Sequence, residues 1–169
     1  MWRRAGRIER SGADAPQYLH DRELGWPCRR AAGRCPRPSG SKQLTRILVV
    51  DDQKDVTESM SVLFEALGHE TRTAADGRQA VALATALEPD LVFLDLDMPV
   101  LDGYEAAREI RSAPLPRQPF LVALTAAHGV AVEVATSAVG FDFYLRKPAD
   151  TNALLAIVAD LSTRTRQAC

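Results

Sequence analysis

After residue 46 the chain is punctuated by short apolar runs: Ile47-Leu48-Val49-Val50, Leu91-Val92-Phe93-Leu94, Phe120-Leu121-Val122-Ala123-Leu124 and Phe143-Tyr144-Leu145. Each is too short for a buried helix and rich in β-branched or aromatic residues, so each reads as a strand. The segments between them follow a different period. Val56, Met60, Leu63 and Leu67 recur at helical spacing, with Gly68 as the stop signal. A polar strand, Glu70 to Ala74, comes next, and Asp76 is placed to cap a helix with Ala80, Leu83 and Leu87 on one face. Asp102 caps a third helix carrying Tyr104, Ala107 and Ile110, before Pro114, Pro116 and Pro119 break the chain. The fourth helix, about His128 to Val139, is the weakest, because Gly129 and the β-branched Val130, Val132 and Val134 lower helix propensity. Asp150 caps a last helix with Leu154, Ile157, Val158 and Leu161 inward, ending near Arg164.

Strands alternating with helices predict repeated βαβ units, hence an α/β fold: a doubly wound, five-stranded parallel sheet in three α/β/α layers, a flavodoxin-like (βα)5 arrangement. Hydrophobicity also orders the strands, since strands covered on both faces read as continuous apolar runs. Strands one, three and four, the runs that begin at Ile47, Leu91 and Phe120, qualify as central. The second strand, ETRTA, is an edge, and the fifth, where Asp142 separates Phe141 from Phe143, is the other. This predicts the order 2-1-3-4-5, with its switch point between strands one and three, where open α/β sheets bind their ligands.

Residues 1–44 lack either period and hold many Arg, Gly and Pro residues. They read as a disordered basic tail, residues 45–166 as one domain, and 167–169 as a short C-terminal tail. Through Arg46 there are eleven Lys and Arg against four Asp and Glu; thereafter there are ten against eighteen, giving +7 and −8. An acidic body argues against direct nucleic-acid binding by the folded domain. Cys28, Cys35 and Cys169 show no zinc-type spacing, and no apolar stretch approaches a membrane span, which points to a soluble, cytoplasmic protein.

The chemistry sits where the strands end. The first run ends in Asp51-Asp52, the third strand in Asp95, the fourth in Thr125, and the fifth leads through Arg146 to Lys147-Pro148. Three carboxylates at one sheet edge repel one another, so they call for a raised pKa or a cation. The absence of His and Cys from the loops that carry the three carboxylates disfavours zinc, whereas Mg2+ prefers such an oxygen set together with a phosphate. A carboxylate beside Mg2+, an ammonium and a hydroxyl is equipped to attack phosphorus and form an aspartyl phosphate. Asp95 is the expected nucleophile, with Thr125 and Lys147 on the phosphoryl oxygens.

The blocks LVVDD, LDLDMPVLDG, ALTA and YLRKP resemble, in order, those of the receiver domains of two-component response regulators, over Ile47 to Arg164. The spacings fit: 43 residues from Asp52 to Asp95, 30 on to Thr125 and 22 on to Lys147. The resemblance implies a phosphoacceptor switch rather than an enzyme. In it, Asp95 takes the phosphoryl group from a sensor histidine kinase or histidine phosphotransfer protein and later loses it to water. It further implies Asp52 as a direct Mg2+ ligand, Asp51 as a ligand through water and Asp97 as a ligand through its backbone carbonyl. Lys147 would hold the phosphoryl group, aimed by a cis Lys147-Pro148 bond, and Thr125 with Tyr144 would form the switch pair. Asp97 and Ala127 occupy positions that tune hydrolysis in the family. With no effector domain after Arg164, output would pass to a downstream protein target, or the chain is a piece of a hybrid kinase.

Two other readings stand beside this one. LVFLDLDMPV also resembles the Asp-x-Asp motif of haloacid-dehalogenase-type phosphatases, but their acidic metal pair lies downstream of the lysine and Asp51-Asp52 lies upstream. A receiver-like interaction module that no longer phosphorylates is the third. Taken singly, Asp51-Asp52 and Thr125 also suit helix caps.

Overall fold

The computed structural model describes Gly6–Arg7 and residues 45–127 and 129–167. Five strands, β1 (Arg46–Val50), β2 (Glu70–Ala74), β3 (Leu91–Asp95), β4 (Phe120–Thr125) and β5 (Phe143–Arg146), alternate with helices α1 (Lys54–Ala66), α2 (Gly77–Leu87), α3 (Gly103–Ser112), α4 (Val130–Val139) and α5 (Thr151–Gln167). All pairings are parallel, and the five strands run in the order 2-1-3-4-5.

Period-2 alternation divides the core in two. Leu48, Val50, Val92, Leu94, Leu121, Ala123 and Tyr144 face one way, against Ala80 and Ala84 of α2 and Ala106, Ala107 and Ile110 of α3. Ile47, Val49, Leu91, Phe93, Val122, Leu124, Phe143 and Leu145 face the other, against Met60 and Phe64 of α1 and Leu154, Ile157 and Val158 of α5. Because both faces are covered, β1, β3 and β4 could be read as central from their unbroken apolar runs.

Local signals set most helix ends. Asp76 accepts the Gln79 N–H at 2.8 Å and Asp102 the Glu105 N–H at 2.8 Å, so both cap their helices as the sequence predicts. Gly68, at φ +84, follows the α1 C-cap Leu67. The inward face of α1 differs from the predicted stripe: Thr57, Met60 and Phe64 are buried, whereas Leu67 lies past the last turn and is 37% exposed. Phe64 stacks on Phe93 at 5.4 Å, and that cross-layer contact sets the rotation of the helix. Neither Asp51 nor Asp52 caps α1; that position is Gln53, without a side-chain cap.

At the β5 edge, the two-residue strand Gly6–Arg7 pairs with Phe143 and Tyr144. The sequence predicted no structure there. The rest of the predicted basic tail, 8–44 included, lies outside the described residues. At the other terminus α5 continues to Gln167, beyond the predicted end near Arg164. Among the described residues no helix is long and apolar enough to cross a membrane.

Candidate functional site

Strand register brings the acidic residues level. Val50 pairs with Leu94, so Asp51, one residue on, stands beside Asp95; Asp95 in turn pairs with Leu124, and Thr125 with Arg146. Parallel strands in this register deliver Asp51, Asp95, Thr125 and Lys147 to one end of the sheet.

Carboxylate oxygens of Asp51, Asp52 and Asp95 lie within 4.8 Å of one another, with Asp51 and Asp95 buried and Asp52 exposed. The two buried acids are held by fixed donors. Asp51 Oδ1 accepts the Gln53 N–H at 2.9 Å and Asp95 Oδ1 accepts the Asp97 N–H at 3.2 Å. Lys147 Nζ spans them, 2.6 Å from Asp51 Oδ2 and 2.8 Å from Asp95 Oδ2. The backbone positions the lysine: its N–H donates to the Thr125 carbonyl at 2.8 Å, and the Lys147-Pro148 peptide bond is cis. Thr125, 2% exposed, accepts the Ala127 N–H on its hydroxyl at 3.0 Å.

Burial raises the Asp95 carboxyl above its ordinary pKa, against the opposing pull of Lys147 and the Asp97 N–H. For Lys147 burial acts to lower the pKa, but the hydrogen bonds and charges of Asp51 and Asp95 outweigh it and the net direction is upward. One ammonium between two buried carboxylates neutralises only part of their charge. Three oxygen donors this close, with no sulfur or imidazole among them, fit a hard divalent cation. The Asp97 side chain is exposed and is not part of this cluster. Nearby, burial and the charges of Asp97 and Asp102 raise the Tyr104 phenol.

Steric fit closes the loop after Asp95. A Cβ on Gly103 would stand 2.1 Å from the Asp95 carbonyl oxygen and 2.8 Å from Leu96 Cα, so α3 starts against the strand that carries Asp95. The Gly103 N–H donates to the Leu96 carbonyl at 3.2 Å. Tyr144 is 4% exposed, with its ring on the α3 side of the sheet. Sequence alone did not reveal the γ-turn at Val100, whose φ is +74, because nothing in the residue type signals it. It also missed the tie between Arg111 and Asp142, although an acid beside a strand start and a basic residue at a helix end were both visible.

Residues 47–159 match the response regulator receiver domain family. The chain belongs to that family, the receiver domains of two-component systems. It is 42% identical over 122 residues to the response regulator MprA of Mycolicibacterium vanbaalenii, covering 71% of this chain and 51% of MprA. It is also 35% identical over 126 residues to RpaA of Synechocystis, a DNA-binding dual master transcriptional regulator, covering 72% of this chain and 51% of RpaA. The chain thus spans about half the length of these curated relatives. Among solved structures it resembles the chemotaxis protein CheY4 of Vibrio cholerae, with TM-score 0.66, 28% identity, and coverage of 70% of this chain and 99% of that one. It also resembles the receiver domain of a Pseudomonas aeruginosa sensor histidine kinase, described with a magnesium ion coordinated in the active site cleft. There the TM-score is 0.64 and the identity 31%, over 72% of this chain and 99% of that one. Family membership sets the phosphatase reading aside.

Proposed function

We propose that Asp95 is the phosphoacceptor of a switch in which Asp51, Asp52 and the Asp97 carbonyl hold Mg2+ and Lys147 and Thr125 hold the phosphoryl oxygens. The observation that carries this reading is the buried Asp95 within 4.8 Å of the Asp51 and Asp52 oxygens, with Lys147 Nζ 2.8 Å away. A bound Mg2+ supplies charge neutralisation for the carboxylates and the phosphoryl oxygens.

Transfer begins with Asp95 ionised. Its Oδ attacks the phosphorus of a phosphohistidine on a sensor kinase or phosphotransfer protein in line; the P–O bond forms as the P–N bond breaks, and the imidazole nitrogen leaves. Lys147 turns from its contact with Asp95 to the new phosphoryl oxygens, keeping its charge beside Asp51. The Thr125 hydroxyl gives up the Ala127 N–H and donates to another phosphoryl oxygen. Its departure leaves room on the α3 side, where Tyr144 is held inward, and this pair couples the acyl phosphate to α4 and β5. Water attacking phosphorus then breaks the P–O bond, returning the carboxylate and inorganic phosphate. The exposed Asp97 side chain and the small Ala127 leave that water access, so they set the rate. The chain changes only its own covalent state, in the cytoplasm, and signals to a protein target.

The test is labelling by acetyl phosphate. Wild type should gain one phosphoryl group by mass only with Mg2+ present, and Asp95→Asn should gain none. Equal labelling of both proteins overturns the assignment of Asp95, and failure of wild type to label overturns it in favour of an interaction module. Phosphotransfer from the host's histidine kinases then names the input.

A further inference from the structure

The two outer strands of the five are built differently. β2 carries Glu70 and Arg72, exposed and paired with each other at 3.3 Å, and charge along a sheet edge discourages another chain from adding to it. β5 reads Phe143-Tyr144-Leu145, all buried, before the exposed Arg146. An apolar edge of this kind accepts a further strand. One is present: Gly6–Arg7 lies parallel to it, Gly6 level with Phe143 and Arg7 with Tyr144.

This pairing does more than close an edge. Its register sets Arg7 beside Tyr144, the residue whose ring responds to Asp95 in the proposed switch, so a shift of the β5 backbone there alters the pairing. Two residues of ladder are weakly held, and a small change releases them. Charge keeps the segment near the domain, because the chain through Arg46 carries +7 and the remainder −8. Residues 8–45 can span more than about 100 Å, enough to carry the strand round from the start of β1 within one molecule.

We propose that the Gly6–Arg7 strand is an intramolecular strap that occupies the β5 edge in the unphosphorylated protein and leaves it when Asp95 is phosphorylated, baring the edge for a protein target to add an extended strand of its own. The release rests on Asp95 and Tyr144 acting as the switch. The test is amide hydrogen exchange at Phe143–Arg146, followed by NMR in the full chain. Gly6→Pro combined with Arg7→Pro removes both N–H groups of the strap, and should speed exchange of the edge-facing β5 amides about fivefold or more while β1 and β3 stay unchanged. Gly6→Val, better suited to a strand, should exchange no faster than wild type. Labelling wild type with acetyl phosphate and Mg2+ should bring the same amides to the rate of the double proline variant, and Asp95→Asn treated alike should not change. Equal rates in the double proline variant and unmodified wild type overturn the strap. Phosphorylated wild type that keeps its slow exchange overturns the release. Protection that rises with protein concentration assigns the strand to a second copy and overturns the intramolecular contact. Wild type that gains no phosphoryl group overturns the assignment of Asp95 and the release with it, while the proline variant still decides whether the strap is there.

Discussion

Helices α3 and α4 are neighbours on the same face of the sheet, yet they are held very differently. The third is capped by Asp102, abuts the Asp95 strand through Gly103, and buries Ala106, Ala107 and Ile110 completely. The fourth begins at Gly129, φ +109, without a side-chain cap, ends at Gly140, φ +102, and has Thr136 as its buried residue. Its Val130 and Val134 are 75% and 62% exposed. A helix with little buried surface and no cap has little stability to lose when its surroundings change. The contrast bears on the proposed switch: α3 abuts the strand that carries Asp95, and α4, with little buried surface, is the element on that face which the switch would move.

Replacing a glycine at each helix start should show the difference most strongly. Gly103→Ala drives a methyl group into the Asp95 and Leu96 backbone, which cannot yield as a flexible side chain would. We expect a loss of about 3 kcal/mol or more in urea unfolding, together with loss of acetyl phosphate labelling. At Gly129 a Cβ meets nothing within 4 Å, so Gly129→Ala suffers only its positive φ. That should cost about 1–2 kcal/mol and leave labelling intact. Equal losses would mean that α3 does not set the pocket.

The two helices are tied together at their far ends by one side chain. Arg111 Nε donates to the Gly140 carbonyl at 2.9 Å and Nη1 to the Pro119 carbonyl at 2.7 Å, while Nη2 pairs with Asp142, whose Oδ2 also accepts the Leu121 N–H at 2.9 Å. This tie holds the C-terminus of α4, whereas its N-terminus, the end nearer Thr125 in sequence, has no side-chain cap. Arg111→Ala should cost roughly 2–3 kcal/mol, because it strands a half-buried carboxylate and two carbonyls. Hydrogen exchange should then speed up in α4 and early β5 but not in α2. Arg111→Lys should recover only part, lacking the planar fork.

Some of this contrast was legible in the residues. Asp76 and Asp102 declared their caps, the weak propensity of α4 was plain from its valines, and unbroken apolar runs placed β1, β3 and β4 at the centre. The site was legible as a set of strand ends, since parallel register turns sequence positions into neighbours. What sequence could not supply was rotation and close approach. Phe64 rather than Leu67 points inward because Phe93 is there to meet it, and Gly103 reads as a turn glycine until the Asp95 carbonyl is found against it. Long-range ties such as Arg111 to Asp142 depend on two elements packing at one angle, which no local pattern encodes.

Removing the α3 cap sharpens the comparison on a smaller scale. Asp102 Oδ1 satisfies the Glu105 N–H at an exposed position, so Asp102→Ala should cost about 1 kcal/mol. The fourth helix has no such cap to remove. A matching loss in Mg2+ affinity, measured by calorimetry, would show that the cap steadies the loop between Asp95 and Gly103; an unchanged affinity would confine its effect to the helix.

The smallest expected effect concerns the charge that α3 encloses. Burial holds the Asp95 carboxyl above its ordinary pKa, so the folded protein binds that proton more tightly than the unfolded chain does. The resulting stabilisation is fully present below the unfolded pKa and is lost as pH rises through the folded one. Asp95→Asn carries no such charge. Without Mg2+ its melting temperature should therefore exceed that of wild type above the raised pKa, with the gap closing at lower pH. Loss of one of the two Lys147 contacts opposes the gain and keeps it below the effect of the Asp102 cap. Saturating Mg2+ should shrink the gap, because the ion stabilises wild type more. An Asp95→Asn protein that melts below wild type across the whole range would instead show that the Lys147 ion pair outweighs the burial of the carboxylate.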